Sequence, residues 1–268
     1  MSGAQPSFAG SVAANYRRYL MPLSFTAYAH SLAGRVPLRH GARLLEVACG
    51  TGAVTQVLHD ALPMGATLTA TDLNPDMLAE AEALLGPAAD VQFQVADGTA
   101  LPFDDASFDT VLCQFGVMFF PDLARGFAEA ARVLKPGGAL VFSVWDALPS
   151  NPLPALVFDT VKPFFPAEPP AIMQLPFSCH DIQALRHTLA GAGFQRMSFH
   201  VERRRCHAPD AQAIAMGFIH GSPLGADLEQ HGVSDAAVAA VIAALESQYG
   251  TGAINAPMQA VEVIAYPD

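Results

Sequence analysis

Positive charge is scarce in this chain: 14 lysines and arginines stand against 25 aspartates and glutamates in 268 residues, a formal net charge of −11. An acidic surface repels phosphate backbones, which argues against nucleic acid as a partner. The single basic run, Arg203-Arg204-Arg205, reads as the solvated end of a strand or as arginines paired with local carboxylates. No apolar stretch approaches the roughly 18 residues of a membrane span, and no charged-then-apolar leader opens the sequence. A cytoplasmic protein is expected. Four cysteines, at 49, 113, 179 and 206, show no paired metal spacing, and the nine histidines form no helical pair. No metal site is indicated, and reduced thiols in the core or lining a site are expected.

Apolar residues, by contrast, make up 51% of the chain, enough for a large α/β core with insertions. Strands are predicted near 43–48, 67–72, 91–96, 109–114 and 138–144, with helical stretches between them, the rhythm of parallel βαβ units. Residues 1–40 read as a helical lid, with Phe8, Val12, Tyr16, Tyr19 and Leu20 at helical spacing and Pro22 interrupting the pattern. The core occupies 41–148. Eight of the 21 prolines crowd between Pro149 and Pro176 beside Phe158, Phe164, Phe165 and Phe177, so 149–180 reads as a cap insertion. The core continues over 181–207, with a helix from Asp181 and a strand at 195–201. A second cap spans 208–255, including a helix that Ser234 caps, and 256–268 forms the final core strand.

The densest chemical signal is Leu44-Leu45-Glu46-Val47-Ala48-Cys49-Gly50-Thr51-Gly52, a short apolar strand running into a turn of small residues and then a helix. Glycines permit φ > 0 and close approach of backbone to a ligand, and the helix start presents unpaired N–H groups. A second strand ends in Asp72, 20 residues after Gly52, where doubly wound folds place the carboxylate that binds ribose. The dinucleotide fingerprint wants a third glycine or alanine where this chain has Thr55, which disfavours an NAD(P)-dependent oxidoreductase. A non-catalytic binding or regulatory module on the same fold is the other alternative.

Glu46-x-x-x-Gly50-x-Gly52 resembles the first motif of the class I S-adenosylmethionine-dependent methyltransferases. Four further segments match that family in order: Asp72-Leu73-Asn74-Pro75-Asp76-Met77, Ala96-Asp97-Gly98-Thr99-Ala100-Leu101-Pro102-Phe103, Phe108-Asp109-Thr110-Val111-Leu112-Cys113-Gln114, and Arg132-Val133-Leu134-Lys135-Pro136-Gly137-Gly138. The likeness is closest to the bacterial small-molecule methyltransferases related to the ubiquinone and menaquinone C-methyltransferases and covers about residues 40 to 146. It implies a Rossmann-like seven-stranded sheet, mostly parallel, whose antiparallel last strand slots between the fifth and sixth, with helical cap insertions.

It also implies S-adenosyl-L-methionine as cofactor. Backbone at Ala48, Gly50, Thr51 and Gly52 would approach the methionyl end, which Glu46 helps to place. Asp72 would hold the ribose hydroxyls, and Leu73 and Met77 would cover adenine. Asp97 would accept from the adenine amino group while Gly98 or Thr99 offers an N–H. Gln114 and Phe115 would lie beside the sulfonium, with Tyr16 and Tyr19 closing over it. The residues after strand four read Gln114-Phe115-Gly116-Val117, not the Asn/Asp-Pro-Pro-aromatic box of nucleic-acid amino-methyltransferases. The expected partner is therefore a small, partly apolar methyl acceptor, with oxygen preferred over nitrogen or carbon. His220, in the second cap, is the candidate base.

Overall fold

The computed structural model describes residues 8–267. Seven strands form one sheet in the order β3-β2-β1-β4-β5-β7-β6: β1 (Arg43–Val47), β2 (Thr67–Asp72), β3 (Val91–Val95), β4 (Phe108–Gln114), β5 (Leu134–Trp145), β6 (Phe194–Ala208) and β7 (Ile254–Pro267). The first five pair in parallel, whereas β7 runs antiparallel to both β5 and β6. Strand order reverses between β1 and β4, and open α/β sheets bind ligands at such a switch point.

Parallel strands buried on both faces must be apolar on both. In β5, Leu140, Phe142 and Val144 enter the larger core cluster, while Ala139 and Val141 join Leu44, Leu68 and Leu112 in a second cluster on the opposite face. That second face is covered by α2 (Thr26–Ala33) and α3 (Ala53–Ala61) through Ala29, Leu32, Val54 and Leu58. α4 (Pro75–Leu85) starts at Asn74, whose side chain accepts from Asp76 N at 2.9 Å, and α5 (Leu123–Val133) is capped likewise by Asp122.

Pro22 does not break the amino-terminal helix. Residues 11–33 stay helical as α1 (Ser11–Asn15), a π-helical segment (Tyr16–Phe25) and α2. Proline's ring collides with the carbonyl four residues back in an α-helix, and the wider i→i+5 winding accommodates it. Between β5 and β6 lie α6 (Pro152–Val161), several 3₁₀ turns and α7 (Ile182–Gly191), which Asp181 caps. Between β6 and β7 lie α8 (Ala211–His220), α9 (Leu224–Gln230) and α10 (Ser234–Tyr249), with α10 packed on α8 and α6.

Ser234 starts α10 without capping it: the N-cap position falls on Val233, and the Ser234 hydroxyl is buried without a partner among the described residues. β6 is also twice as long as the 195–201 expected. Its pairing with β7 runs from Phe194 to Ala208 and sends Cys206 and Ala208 into the core between exposed polar residues. The three arginines lie on this stretch with local partners: Arg203 to Gln259, Arg204 to Glu202 and Ser31, and Arg205 to Asn255. Among the described residues, no helix is long and apolar enough to cross a membrane.

Candidate cofactor and acceptor site

A cavity of about 600 Å³ opens at the carboxyl ends of β1, β2 and β4. Its rim is built from residues in the sparsely populated left-handed region. Ala48 (φ 54°) follows β1 and Phe115 (φ 52°) follows β4, and both line the cavity with Gly50 (φ 56°). Non-glycine residues with positive φ persist only where their surroundings enforce it, and they concentrate at ligand sites. The two turns interlock here, since a Cβ on Gly116 would sit 2.6 Å from Ala48 Cβ and 2.7 Å from Cys113 Sγ.

The two glycines of the first turn differ in role. A Cβ on Gly50 would meet nothing, so its backbone faces open space along the cavity. Gly52 does not line the cavity: it is the N-cap of α3 with φ 87°, and a Cβ there would lie 3.1 Å from Ala81 Cβ of α4. Its smallness serves helix packing.

Asp72 ends β2 with one backbone donor on each oxygen, Gly50 N on Oδ2 and Asn74 N on Oδ1, both at 2.9 Å. Each carboxylate oxygen therefore keeps capacity for a further donor. Burial raises its pKa against the pull of these bonds. Asp97 lines the cavity at the end of β3, and its Oδ1 takes both N–H and hydroxyl of Thr99 at 2.8 Å. Thr99 is thus buried behind Asp97, with its N–H already engaged and unavailable to a ligand. Gly98 does line the cavity, as do Leu73 and Met77.

Glu46 is fully buried beneath the turn, and its Oε2 accepts from Thr55 Oγ1 at 2.7 Å. Burial, opposed by the Thr55 bonds and reinforced by nearby Asp72, pushes its pKa from 4.5 to about 8. The folded state then holds a proton that the unfolded chain releases above 4.5. Stability is full below 4.5 and falls as pH rises toward 8, by up to ~1.4 kcal/mol per pH unit. In ligand-free protein, melting temperature should decline from pH 5 to pH 8, with a shallower decline in Glu46→Gln. Equal slopes in the two proteins would show that Glu46 does not titrate there.

The amino-terminal helices cross this cleft as a strap. Gly10 N donates to Asp76 at 2.6 Å, Arg17 pairs with Glu80 at 2.9 Å, and Gln114 Nε2 donates to Phe25 O at 3.0 Å. Tyr16 lines the cavity, and burial with Asp72 nearby pushes its phenol pKa up, keeping it a hydrogen-bond donor. Tyr19 faces the other way, its Cβ against Gly217 of α8 and its ring under the Arg18 guanidinium at 5.1 Å. Phe115 stacks on Trp145 at 3.8 Å with rings 5° from parallel, and Phe25 packs edge-on to both.

Beyond this aromatic wall the cavity is lined by the cap residues Pro154, Phe158, Ile172, Phe177, Phe218, Ser222 and Leu224, with Met258 of β7. His220 is not among them. On α8 it sits two residues from both Phe218 and Ser222, and a two-residue step turns a helical side chain to the opposite face; its ring lies instead by Gly225. His180 is engaged with Phe177 O at 2.8 Å. Among the described residues the lining carries three charged groups, Asp72, Asp76 and Asp97, and no lysine, arginine or histidine. Trp145, Phe25 and Ser222 were not anticipated. Trp145 was within reach, because it ends β5 on the ligand-binding side of the sheet.

Residues 45–142 match a family described as a methyltransferase domain. An uncharacterized protein of Mycobacterium tuberculosis is 40% identical over 106 residues, covering 39% of this chain and 38% of that protein; the match thus spans under half the length of that relative. A ubiquinone/menaquinone biosynthesis C-methyltransferase of Ectopseudomonas mendocina is 32% identical over 177 residues, 61% of this chain and 69% of that protein. Among solved structures, a Haemonchus contortus phosphoethanolamine N-methyltransferase bound to S-adenosyl-L-methionine aligns with TM-score 0.60 at 16% identity, over 98% of this chain and 58% of that one. A Haloferax volcanii protein solved with the Trm112 methyltransferase activator aligns with TM-score 0.58 at 19% identity, over 99% of both chains. At these identities the structural matches speak for the fold.

Proposed function

Because this chain belongs to the class I S-adenosylmethionine-dependent methyltransferases related to the ubiquinone/menaquinone C-methyltransferases, we propose that it methylates an uncharged, electron-rich aromatic small molecule. The observation that carries this reading is the polarity of the cavity, with carboxylates at one end and apolar side chains with the Ser222 hydroxyl at the other. Gly50 faces open space and Asp72 keeps free acceptor capacity, a donor set that fits the cofactor. S-adenosylmethionine supplies an electrophilic methyl group on a sulfonium.

Asp72 binds the ribose hydroxyls, Ala48, Gly50 and Thr51 approach the methionyl end over Glu46, and Leu73, Met77, Asp97 and Gly98 enclose adenine. Tyr16, Gln114 and Phe115 border the reacting centre. Gly52 and Thr99 support these groups from behind.

Among the described residues no carboxylate or imidazole lines the cap end, so the acceptor is a ring carbon made nucleophilic by a ring hydroxyl: the carbon takes the methyl as its bond to sulfur breaks, and the proton it then loses passes to water. Carbon is favoured over the oxygen first expected, in keeping with the C-methyltransferase relative. Closure of the strap and caps would exclude water and align the acceptor, worth roughly 7–11 kcal/mol in ideal cases. The lack of any cation among the described lining residues disfavours phosphorylated acceptors such as those of the Haemonchus enzyme.

The test is turnover with methyl-labelled S-adenosylmethionine across hydroxylated aromatics and phosphorylated amines. S-adenosylhomocysteine should accumulate with the aromatics, and NMR should find the label on carbon. Turnover of the phosphorylated amines would refute the acceptor assignment. Failure to bind the cofactor while binding NADH would refute the activity.

A further inference from the structure

Three polar side chains cross the sheet in one row behind the cavity. Gln114 on β4 is in register with Ser143 on β5, and Ser143 with Glu262 on β7. Residues two places along each strand, Leu112, Val141 and Ile264, pack with α2 in the second core cluster, so the row shares the face that the strap covers. Ser143 and Glu262 are both 0% exposed. Ser143 Oγ and Glu262 Oε1 have no hydrogen-bond partner among the described residues. Paired positions on neighbouring strands bring Cβ atoms about 4.5–5.5 Å apart, so the two side chains are neighbours in the row.

The row grips the strap at two points. Gln114 donates to Phe25 O at the end of the π-helical segment. The other oxygen of Glu262 binds Arg35, just past α2, and Arg35 also pairs with Glu202. Apolar residues replacing the whole Arg35–Glu262 pair would fill this face of the sheet without stranding an oxygen, and buried ion pairs commonly cost stability relative to such a replacement. Stability alone therefore does not account for an acid here.

We infer that Glu262 is a positioning residue that, through Arg35, holds the strap closed over the cofactor end of the cavity. The inference rests on the methyltransferase reading of that cavity. Glu262 does not touch the cavity itself; it acts on the lifetime of the closed state, and hence on cofactor and product release.

Trp145, the only tryptophan of the chain, lines the cavity and reports binding. Release of S-adenosylhomocysteine is followed by its stopped-flow fluorescence in wild type, Glu262→Gln, Glu262→Val and Arg35→Lys, with amide exchange measured alongside. Release should speed up by about tenfold in the Glu262 variants, the equivalent of one charged hydrogen bond, and by less in Arg35→Lys. Exchange should rise across 16–25 but not in β1 or β2. Wild-type release in any folded Glu262 variant, or exchange rising evenly over the sheet, would overturn the inference. Should neither Glu262 variant fold, wild-type release in Arg35→Lys would do so. A wild-type protein that fails to bind S-adenosylhomocysteine would instead sink the underlying reading.

Discussion

Asp72→Ala should weaken S-adenosylmethionine binding by about 1.5–3 kcal/mol, the worth of hydrogen bonds to a charged group, or roughly 10- to 150-fold in Kd. The carboxylate sits at the end of β2 with Gly50 N and Asn74 N on its two oxygens. It therefore ties the first turn to the start of α4 as well as facing the cavity. Alanine removes both functions, and Asp72→Asn separates them, because an amide keeps one acceptor oxygen for a backbone N–H but loses the charge and the second acceptor. Burial disfavours the charged form of Asp72, so neutral replacements relieve a desolvation cost while losing two bonds, and the melting temperature of ligand-free protein should move little. Calorimetry that finds wild-type affinity in folded Asp72→Ala would remove this residue from the cofactor site.

The carboxylate end of the cavity was legible because its determinants are local. A strand, a turn and a helix start within residues 44–53 fix where Ala48 and Gly50 stand, and the end of β2 fixes Asp72; all three line the cavity. The antiparallel place of β7 came from family resemblance, since residues 254–267 alternate no differently for either direction. What the sequence could not convey was which way side chains turn once distant elements meet. Gly52 looks like a ligand-contacting glycine until α4 is placed against it, with Ala81 in the way of any Cβ. Thr99 looks like a free donor until Asp97 takes its N–H.

The strap shows the same limit. Helical spacing groups Tyr16, Tyr19 and Leu20, but winding through Pro22 with a π period changes which of them share a face. Tyr16 ends on the cavity and Tyr19 on α8. On α8 itself, composition drew attention to His220, whereas the packing of α8 on α10 and the strap turns Phe218 and Ser222 inward. A cap built of short helices carries no single periodicity long enough to orient a catalytic histidine, and here the lining it offers is almost wholly apolar.

Ser222→Trp should separate the two ends of the cavity. Ser222 follows α8 and lines the cavity, and its hydroxyl makes only a local bond to Phe218 O at 2.6 Å and accepts a longer one from Leu224 N at 3.3 Å. Its loss should cost the fold little. An indole at this position would occupy the space bounded by Phe158, Phe218 and Leu224, where the acceptor is proposed to lie. A displacement of about 1 Å at the reacting centre is enough to cost roughly 100-fold in rate, and filling the pocket displaces the acceptor by more than that. Turnover of the best aromatic acceptor should therefore drop at least about 100-fold, while S-adenosylmethionine affinity stays within about twofold of wild type, since the carboxylate end is untouched. Ser222→Ala, which removes the hydroxyl without adding bulk, should keep turnover near wild type. If Ser222→Trp instead weakened cofactor binding and left acceptor turnover at saturating cofactor intact, the two ends of the cavity would have been assigned the wrong way round.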